Sequence, residues 1–140
     1  MHHIFIVNPA AGKGRSLQMI EVIKNRFKNF NQTYEIKVTE APGHAKELAY
    51  DSAKNNDLVR IYSVGGDGTL NEVVNGIAGS NAELGIIPCG SGNDAIRSIY
   101  KIKDPVKLID MLPVCPSASV DLGKLNDRYF INIASIGFDA

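Results

Sequence analysis

The chain has 140 residues with 15 Lys+Arg against 15 Asp+Glu, long enough for one domain to bury a core without staples and too balanced in charge to carry a nucleic-acid footprint. No apolar run reaches the roughly 20 residues of a membrane-spanning helix, and the N-terminal run is too short for a secretory signal. Cys89 and Cys115 have neither metal-site spacing nor the density of a disulfide scaffold, and His2, His3 and His44 make no ligand cluster, so a cytoplasmic location is expected.

His3 to Val7 is a short β-rich run, followed by the glycine-containing loop Asn8 to Gly14. Ile20, Ile23, Phe27 and Phe30 then recur at three- and four-residue steps and predict a helix with a core-facing stripe. Tyr34, Ile36 and Val38 alternate with polar residues, as in a half-buried strand near a sheet edge that ends at Thr39. Pro42-Gly43 makes a turn, and Ala45, Leu48, Ala49 and Ala53 give a small-residue helix face able to lie close to a sheet.

Leu58 to Val64 reads as a strand buried on both faces, and Leu70, Val73, Val74 and Ile77 fall on one stripe of the helix that follows. Between strand and helix stands Gly65-Gly66-Asp67-Gly68-Thr69. Glycine tolerates positive φ and close approach, and a helix start offers unpaired amides and a positive dipole end, which is chemistry for phosphate. A tight turn needs only one glycine. Asp67 beside a polyphosphate implies a divalent cation between them, hence Mg²⁺ with a nucleotide.

Leu84 to Ile87 is the next strand, ending in Pro88-Cys89-Gly90-Ser91-Gly92-Asn93-Asp94 and a helix through Ala95, Ile96 and Ile99. Asp104-Pro105 starts a short helix, expected to reach Leu112 and to be stopped by Pro113 and Pro116. Val120-Asp121-Leu122 and Tyr129 to Ile136 read as two strands joined through Asn126-Asp127. Repeated strand–loop–helix units predict an α/β fold, a three-layer α/β/α sandwich on a mainly parallel sheet, with all three glycine loops on its carboxyl edge.

The loops do not match better-known signatures in full. Gly12-Lys13 lacks the glycine and the Ser or Thr that a P-loop needs, because Val7 and Gly14 occupy those positions. Lys13 is as consistent with a solvated lysine as with a phosphate contact; Asn8 and Gly12 are the stronger candidates. Gly90 to Ala95 fits a dinucleotide fingerprint, but no acidic residue follows at the end of a next strand, so Ser91, Asn93 and Asp94 read instead as facing the same polyphosphate. Cys89 has no general base near it in sequence and reads as a small apolar filler.

Asn8-Pro9-x-x-Gly12, Thr39 followed by Gly43-His44-Ala45, Gly65 to Glu72, and Pro88-x-Gly90-x-Gly92-Asn93-Asp94 together resemble the diacylglycerol kinase catalytic-domain family. The central motif alone is shared with NAD kinases and phosphofructokinases. The resemblance implies an ATP-dependent lipid kinase whose nucleotide is contacted by Asn8, Pro9, Ala10, Ala11, Gly12, Thr39, Gly65, Gly66, Asp67, Gly68, Thr69, Leu70, Asn71 and Ser91. It implies Asp67 as the catalytic residue, and Asp67 with Asp121 in the Mg²⁺ network. Ser91 stands where the family usually has threonine, which keeps the hydroxyl and loses a methyl.

The resemblance further implies that residues 1–116 form the nucleotide-binding domain and that 117–140 cross toward a β-rich second domain supplying the lipid pocket. On that reading the chain is a fragment that binds nucleotide weakly and transfers no phosphate alone, with the strand from Tyr129 to Ile136 pairing with a second copy in a homodimer. The complete protein is expected at the inner face of the membrane. An NAD kinase-like enzyme and a non-catalytic nucleotide-binding module are the alternatives.

Overall fold

The computed structural model of the chain describes residues 1–90, 104–117, 121–125 and 128–132. Strands β1 (His2–Val7), β2 (Thr33–Val38), β3 (Val59–Gly65) and β4 (Glu83–Pro88) form one fully parallel sheet in the order β2-β1-β3-β4. β1 and β3 are flanked on both sides, which is why they read as near-continuous apolar runs; all seven residues of β3 are buried. β2 is an edge, and only Tyr34, Ile36 and Lys37 of it are even half-buried.

Strand alternation then sorts the core into two layers. Phe5, Val7, Tyr62 and Val64 pack with Met19, Ile23 and Phe27 of α1 (Arg15–Phe27) and with Leu108 and Ile109 of α4 (Pro105–Met111). Ile4, Ile6, Val59 and Ile61 pack with Ala45 and Ala49 of α2 (His44–Asn55) and with Val73 and Ile77 of α3 (Asp67–Ile77). The sheet with helices on both faces is the expected α/β sandwich. The pairing Phe5 to Tyr62 places the two rings in a stack with centroids 4.2 Å apart. Full burial of each large side chain of this kind contributes about 1.5–3 kcal/mol.

Small residues let α2 and α3 approach closely. A Cβ at Gly76 would lie 2.5 Å from the Lys46 carbonyl oxygen and 2.7 Å from the Ala49 Cβ, so only glycine fits that crossing. α4 begins as its sequence predicts: the Asp104 carboxylate accepts from the Val106 N–H at 3.0 Å with proline in the first turn.

At the amino edge of the sheet two polar side chains are buried. Arg60 donates to the Glu83 carboxylate at 2.8 Å, to the Leu112 carbonyl, and to the Cys115 carbonyl at 2.8 Å, tying β3 and β4 to the segment after α4. Burial alone would raise the Glu83 carboxyl, but hydrogen bonds from Ser117 and Arg60 and the Arg60 charge hold it below its ordinary value. His3 accepts from the Tyr62 hydroxyl at 2.8 Å and bonds Gln32 through its other ring nitrogen.

β5 (Asp121–Leu125) and β6 (Arg128–Asn132) form a separate antiparallel pair. Leu125 pairs with Arg128, which leaves the predicted two-residue connection at 126–127. β6 runs beside α3. The part of the second strand expected beyond Asn132, and with it the self-pairing surface, lies outside the described residues.

Several sequence expectations need correction. Leu58 is 70% exposed and precedes β3: its carbonyl accepts from the His2 N–H at the amino edge of the sheet, and its side chain lies outside the two core layers. Val38 is 40% exposed: β2 is an edge strand, and alternation there does not guarantee a covering layer. Phe30 lies past the end of α1, whose buried stripe is Ser16, Met19, Ile23 and Phe27, and it packs on the core from the following turn. Pro113 does not stop the chain's winding at once but sits in a 3-10 turn, Leu112–Val114.

Candidate functional site

The strand order reverses at β1, since β2 lies on one side of it and β3 on the other. In open parallel sheets such a switch point leaves a crevice beyond the carboxyl ends of the two strands, where their following loops diverge. Here those loops are Asn8 to Gly14 and Gly65 to Thr69, with Thr39 and its loop alongside. A cleft of about 340 Å³ opens there, lined by Asn8, Pro9 and Ala10, by Thr39 to Pro42, and by Gly68, Thr69 and Glu72.

Asn8 is the junction of the site. Its amide nitrogen donates to Thr69 Oγ1 at 3.0 Å, its side-chain oxygen accepts from the Ala10 N–H at 3.0 Å, and its backbone N–H donates to the Val64 carbonyl at 3.0 Å. One residue thereby fixes the β1 loop both to itself and to the start of α3. Thr39 is held by its own N–H donating to the Val7 carbonyl at 2.9 Å.

The β3–α3 turn uses its glycines for space. None of Gly65, Gly66 and Gly68 has a positive φ, contrary to one reason for expecting glycine there. A Cβ at Gly65 would lie 2.6 Å from Thr69 Oγ1, and one at Gly66 would touch the Gly90 Cα at 3.4 Å, so this turn closes against its own helix and against the loop after β4. A Cβ at Gly68 would meet nothing within 4 Å. That position opens into the cleft. Gly66 caps α3 without any side-chain hydrogen bond, and the first intrahelical bond is made by the Leu70 N–H to the Gly66 carbonyl at 3.1 Å. The Gly68 and Thr69 amides thus precede the helical ladder at its positive end.

Positive φ is found in the β1 loop instead, at Gly12 (63°), Lys13 (56°) and Gly14 (90°) in succession. A Cβ on Gly12 would collide with the Cys89 carbonyl oxygen. The loops after β1, β3 and β4 are therefore in backbone contact. Cys89 is buried, and burial pushes its thiol up, against smaller lowering by the Ser16 hydroxyl and the Arg15 charge. A thiol held protonated suits the filler reading better than a nucleophile.

The residues expected at the site do not all line the cleft. Asn8, Pro9, Ala10, Thr39, Gly68 and Thr69 line the cleft; Gly12, Gly65 and Gly66 shape the loops behind it. Asp67 is exposed in the first turn of α3, next to Gly68. Leu70 is buried in the core, so its side chain does not reach the cleft, and Asn71 accepts at its carbonyl from the Asn75 side chain at 2.7 Å. Ala11 is half-buried between the cleft-lining Ala10 and Gly12. Ser91, Asn93 and Asp94 lie outside the described residues, as does the side chain of Asp121, which opens β5. Among the described residues no three His, Cys, Asp or Glu side chains gather as a metal site.

Glu40, Ala41, Pro42, Ala45 and Glu72 also line the cleft and were not expected there. Glu72 was findable, since it stands four residues after Gly68 and so shares its helix face. The others reach the cleft only because β2 is the neighbour of β1.

Known proteins share this fold. The profile of the diacylglycerol kinase catalytic domain matches residues 2–125. The chain is 36% identical over 134 residues to a diacylglycerol kinase of Staphylococcus carnosus, covering 94% of the chain and 44% of that protein. It is 37% identical over 134 residues to a diacylglycerol kinase of Staphylococcus haemolyticus, covering 94% and 40%. A crystal structure of a diacylglycerol kinase from Bacillus anthracis superposes with a TM-score of 0.78 at 27% identity, covering 92% of this chain and 44% of that one. The chain spans less than half the length of these relatives.

Proposed function

Because the chain belongs to the diacylglycerol kinase catalytic-domain family, we propose that it is the nucleotide-binding part of a lipid kinase, which moves the γ-phosphate of ATP to a lipid hydroxyl such as that of diacylglycerol. One observation carries the nucleotide reading: at Gly68 the backbone is bare toward the cleft, beside amides that precede the helical ladder. Phosphate oxygens fit such a place, because backbone N–H groups and the helix dipole both favour negative charge there.

The donor set also fits Mg²⁺. This cation keeps waters and takes one or two carboxylates plus substrate phosphates, so a dedicated cluster of protein ligands is not required. Asp67 is the acidic residue of the first turn of α3 and would share the ion with the phosphates; Asp121 is proposed as its second carboxylate. The ion, when bound, neutralises charge developing on the transferred group. Asp67 is proposed to accept the proton of the attacking hydroxyl or to orient the ion, while Asn8, by holding Thr69, keeps the two phosphate-facing loops in register. Closure over the acceptor, and the pocket for its chains, are assigned to the portion of the relatives that this chain does not span.

The test uses the complete protein with labelled ATP, Mg²⁺ and diacylglycerol in mixed micelles, and NAD as the competing acceptor. Labelled phosphatidic acid with no labelled NADP supports the reading. Label in the nicotinamide product instead, or in neither, overturns it. Pairing with another copy and contact with the membrane face remain part of the proposal for the complete protein, to be read from its mass in solution and its sedimentation with vesicles.

A further inference from the structure

Four consecutive cleft residues, Thr39, Glu40, Ala41 and Pro42, come from the loop between β2 and α2, which has no regular hydrogen-bond ladder of its own. What shapes it is the residue at its far end. The Glu40 N–H donates to His44 Nδ1 at 2.9 Å, and the His44 N–H donates to the Ala41 carbonyl at 3.1 Å, so His44 grips the loop twice, once through its ring and once through its backbone. Gly43, at φ 86°, makes the reversal that allows this. The Thr39 end is anchored to Val7 and Ala41 is held by the His44 backbone, leaving the Glu40 amide between them to the imidazole.

We propose that His44 is a positioning residue for the nucleotide: its ring nitrogen holds the cleft wall opposite Gly68 and Thr69 at the spacing the ligand needs. The proposal rests on the nucleotide reading given above. An amide donating to Nδ1 places the ring proton on Nε2, so an acceptor at the δ position is the property that matters. A wall that is ordered before binding costs the ligand less to engage, which acts on affinity and leaves the chemical step alone.

Asparagine carries an acceptor oxygen close to where the imidazole places Nδ1, and alanine carries none. In the complete protein, His44→Ala is expected to raise KM for ATP about 10-fold, the worth of roughly one hydrogen bond, with kcat within about 2-fold. Hydrogen exchange of the Glu40 amide should speed up in the same variant. His44→Asn should return both readings to within about 3-fold of the unsubstituted protein. Unchanged KM in His44→Ala, a loss confined to kcat, or an Asn variant no better than the Ala variant would each overturn the role of His44. Absence of saturable ATP binding by the unsubstituted protein, with its Glu40 amide protected, would overturn the nucleotide reading and the ligand assigned here, while leaving the loop contact itself measured.

Discussion

The Asn8 side chain donates to Thr69 Oγ1 across the switch point of the sheet, joining the loop after β1 to the first turn of α3 at 3.0 Å. Thr69 is only 4% exposed, so its partner cannot be replaced cheaply by water.

Asn8→Ala removes this bond and the one from the Ala10 N–H, and should destabilise by about 1–3 kcal/mol; Thr69→Val removes the first alone and should cost about 1 kcal/mol. Urea unfolding of both single variants and the double variant checks the pairing. A coupling of about 0.5–1.5 kcal/mol is expected, and strict additivity would mean the bond does not hold the loops together.

Gly68→Val should fold normally and lose ATP. Its φ is not positive and its Cβ direction is open, so neither backbone strain nor a clash opposes the substitution, and an unchanged melting temperature is expected within the few degrees that ~0.5 kcal/mol represents. The isopropyl group would occupy the space in front of the amides. Retention of ATP affinity, measured by calorimetry on a folded variant, would remove the phosphate from this position.

Asp67→Asn should lower kcat by about 10²-fold or more while KM for ATP moves little, because the backbone contacts to phosphate survive and the loss falls on proton transfer or on the ion. Steady-state kinetics of the complete protein decides. Losses that fall equally on binding and turnover would make Asp67 a ground-state contact.

His3 makes stability depend on pH. Burial lowers its pKa, against the raising effect of the Gln32 hydrogen bond and with help from the Arg60 charge. The folded pKa lies below the unfolded value of about 6.5, so the unfolded chain takes up the proton first. Stability is therefore whole above pH 6.5 and is lost as pH falls through the window below it. Urea unfolding at pH 7.5 and 5.0 should show this, and His3→Gln should flatten the slope. An equal slope in both proteins would rule His3 out as its source.

Patterning made the sheet legible, because β1 and β3 carry their burial on both faces in their composition and α3 carries its stripe in its spacing. Leu70 shows how the two kinds of reading can compete for one residue: its place in that stripe predicts the core, its place in the glycine motif predicts the ligand, and the side chain is in the core. The wall from Glu40 to Pro42 left no trace in local chemistry, since it depends on β2 crossing to the outside of β1. The role of the glycines was legible in kind and misplaced in position. The β3–α3 turn needs room, whereas the left-handed backbone belongs to the β1 loop, where Lys13 adopts it between two glycines.

That run at Gly12, Lys13 and Gly14 also sets an order of events. A left-handed lysine costs roughly 1–2 kcal/mol, and what Gly12 rests against is the carbonyl of Cys89, at the end of β4. The loop is made early in synthesis and its support late. Until β4 has docked beside β3, the loop is tied at its Asn8 end but its Gly12-to-Gly14 turn lacks the Cys89 support, so nucleotide is expected to meet a finished cradle only after β4 has joined the sheet. In pulse-labelled refolding, the amides of residues 10–14 should gain protection together with those of β4 and after those of β1.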